Sequence, residues 1–254
     1  MLGNKNGKVY LVGAGPGDPE LLTLKAIRRI AEADLILYDY LVDERSLEHA
    51  QKDAQLVSLG RPYSGRKIKQ ADINRQMVDA ALSGQIVTRL KGGDPHIFGR
   101  LNEEMQALLD AGIDFEVVPG ITSASAAAQV AGISLTDRHH ASAVALITGH
   151  LSHEHDSTLP VLDFGQFASF PGTLVFYMGV STLERWSQAL LSQGKSPQTP
   201  ILIVFNATWP DQKILRTSLG KLVVTAKRVN FQNPCIVIIG DAVTAIEKRD
   251  ETQY

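Results

Sequence analysis

Several residue groups in this 254-residue chain have the types and spacing for chemistry. Gly13-Ala14-Gly15-Pro16-Gly17-Asp18 follows an apolar run, and Asp39 closes the next apolar run. That is the outline of a dinucleotide site, with backbone amides for a pyrophosphate and an acid for a ribose hydroxyl. Two details oppose it. Asp18 stands where the fingerprint has its third glycine, and Pro16 removes an amide from the loop that would hold phosphates. The loop reads as a tight turn, with Pro19 suited to the first turn of a following helix. Gly92-Gly93-Asp94 would let backbone approach a ligand closely beside a carboxylate; a plain turn after a strand is the other reading. Glu103 follows Arg100 by three residues, so a helix starting there puts both on one face. That pair is either a simple ion pair or an acid–base group with its partner. His139, His140, His150, His153 and His155 invite a zinc reading. Their spacing fits no standard ligand set and no cysteine is near, so no metal is expected.

These groups need a scaffold. Apolar runs at 9–12, 34–38, 56–59, 86–90 and 115–118 read as strands, with helical spacing at 18–33, 71–83 and 101–111 between them. Such alternation predicts a mainly parallel sheet covered on both faces. Asp39 then ends a strand at the carboxyl edge, where open α/β folds place their sites. After Pro119-Gly120 comes an Ala- and Ser-rich helix at 121–131, then strands at 143–147, 173–177, 200–205 and 235–239. The expectation is two α/β domains with mainly parallel sheets, residues 1–130 and 131–254.

Composition narrows the function classes. Hydrophobic residues are 44% and charged residues 20%, as in ordinary globular proteins. A net charge of −2 lacks the basic surplus of a nucleic-acid binder. No apolar run approaches the roughly 20 residues of a membrane span, and the N-terminus is polar. Cytoplasmic location is expected. A single cysteine, Cys235, allows no intramolecular disulfide and sits in an apolar run as a buried strand residue.

Further blocks carry a resemblance. They are Val12 to Pro19 with its glycines, Leu37-Tyr38-Asp39, and Leu90-Lys91-Gly92-Gly93-Asp94-Pro95-His96-Ile97-Phe98-Gly99-Arg100 with Glu103-Glu104. Val117-Val118-Pro119-Gly120-Ile121-Thr122-Ser123-Ala124-Ser125, Leu135-Thr136-Asp137-Arg138 and Leu174-Val175-Phe176-Tyr177-Met178-Gly179 complete the set. In this order, over about residues 8–243, they resemble the tetrapyrrole methylase family, and within it the branch acting on uroporphyrinogen III. The resemblance implies two α/β domains with S-adenosyl-L-methionine in the cleft between them, and a homodimer. It implies methylation of two ring carbons, C2 and C7, to give precorrin-2 and S-adenosyl-L-homocysteine. The product feeds sirohaem, cobalamin or haem d1 synthesis. The chain length leaves no room for the dehydrogenase and chelatase module of fused relatives, so the methyltransferase step alone is expected.

Carried over from the family, the donor-binding positions are Pro16, Gly92, Gly93, Asp94, Ile97, Thr122, Ser123, Met178 and Ala207. The substrate carries acetate and propionate groups, and arginine binds carboxylates with two parallel hydrogen bonds. Arg100 and Arg138 are the candidates, each alternatively a surface charge. Asp39 and Glu103 are the acid–base candidates for the proton that leaves the alkylated ring. The basic stretch with Arg61, Arg66, Lys67 and Lys69 reads as a lid over an anionic substrate or as a solvated loop.

The chain departs from the family pattern in places. Arg61 replaces a lysine to which the family assigns a proton-donor role. Arginine stays protonated, which favours carboxylate binding there instead. Tyr40 replaces an arginine, His96 a phenylalanine, and Phe205-Asn206-Ala207-Thr208-Trp209-Pro210-Asp211-Gln212 a version beginning with Glu. The rivals are a methylase of a later corrinoid intermediate, a nicotinamide-dependent dehydrogenase, and a donor-binding regulator without turnover.

Overall fold

A strand of apolar residues on both faces must be covered on both sides, and the first strand, β1 (Lys8–Gly13), is buried along nearly its whole length. The computed structural model describes residues 7–60, 68–149, 162, 164–229 and 233–245. The chain separates into two compact units, Met1–Ser123 and Ala124–Tyr254.

The first unit is built on β1, β2 (Leu35–Tyr38), β3 (Gln55–Ser58), β4 (Ile86–Lys91) and β5 (Asp114–Val118). They form one five-stranded sheet in the order β3-β2-β4-β1-β5, and every pairing is parallel. The helices are α1 (Leu24–Ala31), α2 (Gln70–Leu82) and α3 (Leu101–Asp110). Ala26 and Ile30 of α1 pack with Tyr10 and Val12 on one face of the sheet. Ile73 and Met77 of α2 and Leu101 and Leu108 of α3 pack with Val9 and Leu11 on the other. Neighbouring strands β1 and β4 thus send their following helices to opposite faces. This is a topological switch point, and the crevice outside the carboxyl ends there is the expected ligand position.

The helical pattern expected over 18–33 is broken in two. Asp18 accepts from the Glu20 N–H at 3.0 Å to cap a short turn, and Thr23 Oγ1 accepts from the Ala26 N–H at 3.0 Å to start α1 afresh.

The second unit differs from expectation. It contains α4 (Ser123–Val130, whose first residue closes the first unit), β6 (Val144–Thr148), α5 (Phe164–Ala168), β7 (Thr173–Tyr177), α6 (Leu183–Ser192), β8 (Pro200–Phe205), β9 (Lys213–Ser218), α7 (Leu222–Val229) and β10 (Cys235–Ile239). Its sheet runs β6-β7-β10-β8-β9, and only β6 with β7 is parallel. The other three pairings are antiparallel, so this sheet is mixed rather than mainly parallel. The physical reason is local. β9 returns directly against β8 as a hairpin, and β10 enters between β7 and β8 in the opposite direction. β9 does not show in the sequence because it is an edge strand with no buried residue, without a continuous apolar signature.

Trp186 of α6 stacks on Phe176 with ring centroids 4.3 Å apart, and Leu190 and Leu222 join the same core. Cys235 is buried in β10, and burial pushes its thiol up to about 12, as expected of an inert strand residue. Among the described residues no helix is long and apolar enough to cross a membrane.

Candidate active site

The carboxyl edge of the first sheet is closed by its own backbone. The Ala14 N–H donates to Lys91 O at 2.7 Å, the Gly15 N–H to Gly93 O at 3.2 Å, and the Gly93 N–H to Gly15 O at 2.6 Å. The loops after β1 and β4 are therefore zipped together. A Cβ on Gly13 would sit 2.7 Å from both Gly120 N and Gly93 O, so the loop after β5 presses on the same point. Gly15 and Gly93 have φ of +75° and +71°, a region glycine enters without steric cost. The amides that a pyrophosphate would need are spent on carbonyls. This is the physical reason the glycine loop is a turn and not a dinucleotide cradle.

Asp94 follows this junction. Its Oδ1 accepts from the His96 N–H and contacts His96 Nδ1, both at 2.8 Å, and the Ile97 N–H donates to Asp94 O at 3.1 Å. Oδ2 takes no hydrogen bond from the described residues. The side chain of Asp94 is mostly buried and that of His96 half exposed. Ser123 Oγ lies 3.7 Å from where a Gly93 Cβ would be, so Gly93, Asp94 and Ser123 belong to one neighbourhood. Thr122 precedes α4, and Pro16 is partly buried in the zipped loop.

Asp39 ends β2 at the same edge, and here the structure holds residues that sequence reasoning missed. Arg89 Nη2 donates to Asp39 Oδ1 at 2.5 Å, and Arg89 Nε donates to Glu104 Oε1 at 3.0 Å. Lys91 Nζ donates to Glu104 Oε2 at 2.8 Å, and Gln70 Nε2 to Glu104 Oε1 at 3.1 Å. The side chains of Arg89, Lys91 and Glu104 are 3%, 4% and 0% exposed, whereas Asp39 is 32% exposed. Burial, helped by the Arg89 charge, lowers the Lys91 pKa; Glu104 opposes that shift. One signal was available. Arg89 and Lys91 interrupt an apolar strand two residues apart, which puts both on one face.

Arg100 and Glu103 meet each other. Arg100 caps the start of α3 at φ +55°, and its Nε and Nη2 donate to Glu103 Oε1 and Oε2 at 2.6 and 2.7 Å. The Arg100 guanidinium holds the Glu103 carboxyl below its usual range. Both side chains are about half exposed, at 56% and 50%. Glu103 makes no hydrogen bond to Asp39; its neighbour Glu104 reaches Asp39 through Arg89.

Of the remaining candidates, Arg61 lies outside the described residues, as do His150, His153 and His155. In the second unit, Arg138 is exposed in a turn closed by Asp137 and Ala141, with no ion pair to the described residues. Asp137 Oδ1 accepts from the His139 and His140 N–H groups at 2.8 and 3.0 Å, which ties those histidines into the turn. Met178 follows β7, 46% exposed, at φ +53°. Ala207 is buried between Asn206 and Thr208, which have φ of +45° and +71°. Strands β7 and β8 both run opposite to β10, so these left-handed, non-glycine residues gather at one edge of the second sheet. Such strain persists where surrounding structure enforces it, and it concentrates at ligand sites.

Known proteins share this fold. The family model for tetrapyrrole (corrin/porphyrin) methylases matches residues 8–223. The chain is 45% identical over 238 residues to the siroheme synthase of Hahella chejuensis, covering 94% of this chain and 50% of that protein. It thus spans about half the length of the siroheme synthases it matches. It is also 45% identical over 237 residues to a uroporphyrinogen-III C-methyltransferase of Priestia megaterium, covering 93% of this chain and 98% of that one. The crystal structure of a uroporphyrin-III C-methyl transferase from Thermus thermophilus complexed with S-adenyl homocysteine superposes with a TM-score of 0.80. The two are 40% identical, with 94% of this chain and 100% of the other covered.

Proposed function

The chain belongs to the tetrapyrrole methylase family, and from that premise we propose that it methylates uroporphyrinogen III at C2 and C7. S-adenosyl-L-methionine is the donor, and precorrin-2 and S-adenosyl-L-homocysteine are the products. The observation that carries this reading is the 45% identity across 98% of a uroporphyrinogen-III C-methyltransferase. The further activities of the longer siroheme synthases are not carried over.

The residues present fit such a donor. Asp94 fixes its turn with Oδ1 and keeps Oδ2 for a ribose hydroxyl or an ammonium group. Gly92 and Gly93 keep the turn low, and Pro16, Ile97, Thr122 and Ser123 complete the contribution of the first unit. Within the second unit the two remaining family positions are Met178, with an exposed apolar side chain, and Ala207, small and buried. The bound donor supplies an electrophilic sulfonium methyl group. The protein's task is then to orient the acceptor ring and to receive its proton. Asp39 receives that proton at Oδ2, since Oδ1 is held by Arg89. Arg100 and Arg138 bind substrate carboxylates, and Glu103 holds Arg100 ready in a bidentate pair. Arg61 adds a further carboxylate partner. The family resemblance and the lone, inert cysteine favour a homodimer working in the cytoplasm.

The test is anaerobic incubation with S-adenosyl-L-methionine and uroporphyrinogen III, followed by mass spectrometry of the tetrapyrrole. Gain of two methyl groups is expected. No gain, with S-adenosyl-L-homocysteine still bound, would move the substrate to a later corrinoid or leave a regulator. Binding of NAD instead would restore the dehydrogenase reading.

A further inference from the structure

The described part of the first unit buries Arg89, Lys91 and Glu104 beneath the half-buried Asp39 in one connected network. Two cations face two carboxylates, so the cluster is balanced and loss of any single member leaves a net charge. Replacing such a network by apolar side chains is often neutral or stabilising, so stability alone is a weak account of it.

Its geometry gives a better one. Each nitrogen of the Arg89 guanidinium has its own partner: Nη2 on Asp39 Oδ1 at 2.5 Å, Nε on Glu104 Oε1 at 3.0 Å, and Nη1 on Leu90 O at 3.1 Å. A planar fork engaged in three directions cannot rotate. Glu104 is pinned in turn by Lys91 from β4 and Gln70 from α2. The chain of contacts ends on Asp39, whose Oδ1 is committed and whose Oδ2 takes no hydrogen bond from the described residues.

We propose that Arg89 is a positioning residue for methyl transfer, holding Asp39 through Oδ1 and itself held by Glu104. This rests on the reading of Asp39 as the proton acceptor. Lysine at 89 keeps the charge but lacks the planar fork that reaches Asp39, Glu104 and Leu90 O together.

A double-mutant cycle on kcat with S-adenosyl-L-methionine and uroporphyrinogen III tests it, using the intact chain, Asp39→Asn, Arg89→Lys and the double variant. Arg89→Lys should lower kcat about tenfold or more, the scale of a misplaced catalytic group, with the donor KM changed less than about twofold. In the Asp39→Asn background the same change should cost less than about twofold, because a residue acting through Asp39 has nothing left to act on. Multiplying losses, or unchanged kcat in Arg89→Lys, would overturn the positioning role. Unchanged kcat in Asp39→Asn would instead overturn the Asp39 assignment and this proposal with it. No turnover by the intact chain would overturn the substrate reading and this proposal together. If Arg89→Lys does not fold, Gln70→Leu, which removes only one bond to Glu104, enters the same cycle with a smaller expected loss of about threefold and the same criterion of non-additivity.

Discussion

The two sheets of this protein have different interiors. The first is all parallel and carries buried Arg89, Lys91 and Glu104, with their partner Asp39 at its carboxyl edge. The second is largely antiparallel, and its only fully buried polar residues among those described are Thr173 and Ser187. Its central strands β7, β8 and β10 are apolar on both faces. The first unit thus holds the buried charges and the proposed proton acceptor, Asp39. The second offers shape, with Met178, Asn206 and Thr208 held in left-handed conformations at its strand ends. Electrostatic chemistry needs rigid, dry surroundings, and a parallel sheet covered by helices on both faces supplies them.

The comparison can be broken first through stability. Glu104→Leu should destabilise by about 3–5 kcal/mol, because it leaves buried Lys91 without its carboxylate and Arg89 with only Asp39. Trp186→Ala should cost a similar amount, about 3–5 kcal/mol, through a cavity beside Phe176. Denaturant midpoints check both. The two losses should then part company. Replacing Arg89, Lys91 and Glu104 together by apolar residues should recover much of the stability while turnover stays lost. Full activity in that triple variant would mean that the first core is no more functional than the second.

Asp39→Asn comes next, with an expected fall in kcat of about 100-fold and S-adenosyl-L-homocysteine affinity retained by calorimetry. Arg100→Leu should raise the substrate KM about tenfold. It should move stability by less than about 1 kcal/mol, since its pair with Glu103 is solvent-exposed. Glu103→Gln, which weakens the same pair, should follow in the same direction with a smaller effect. The smallest thermodynamic effect belongs to the second unit. Met178→Gly should change stability by less than about 0.5 kcal/mol, as relief of left-handed strain offsets added freedom in the unfolded chain. It should still weaken S-adenosyl-L-homocysteine binding severalfold; unaltered binding would remove Met178 from the donor site.

Local pattern made much of this legible. The strands around residues 9–12, 34–38 and 86–90 show as apolar runs, because central parallel strands have no wet face. The turns at Gly13–Asp18 and Gly92–Asp94 show as glycine spacing, and Pro16 with Asp18 already argued against a phosphate cradle. The three-residue spacing of Arg100 and Glu103 showed as a pair, although Arg100 stands ahead of α3 as a left-handed cap and not on the helix face. Edge strand β9 did not show, because its exposed residues carry no core pattern. The direction of β10 did not show either, since an apolar run reads the same in both senses.

By itself, then, the sequence determined the parallel first sheet, the tight glycine turns and the family to which the chain belongs, all of which rest on local spacing and ordered motifs. Only the tertiary structure decided what Gly13, Gly15 and Gly93 are for, since their need is set by backbone brought from β4 and β5. It alone joined Arg89 to Asp39 and Glu104, fifty and fifteen residues away in the chain. A buried charge declares its partner only when folding removes water and leaves it no other.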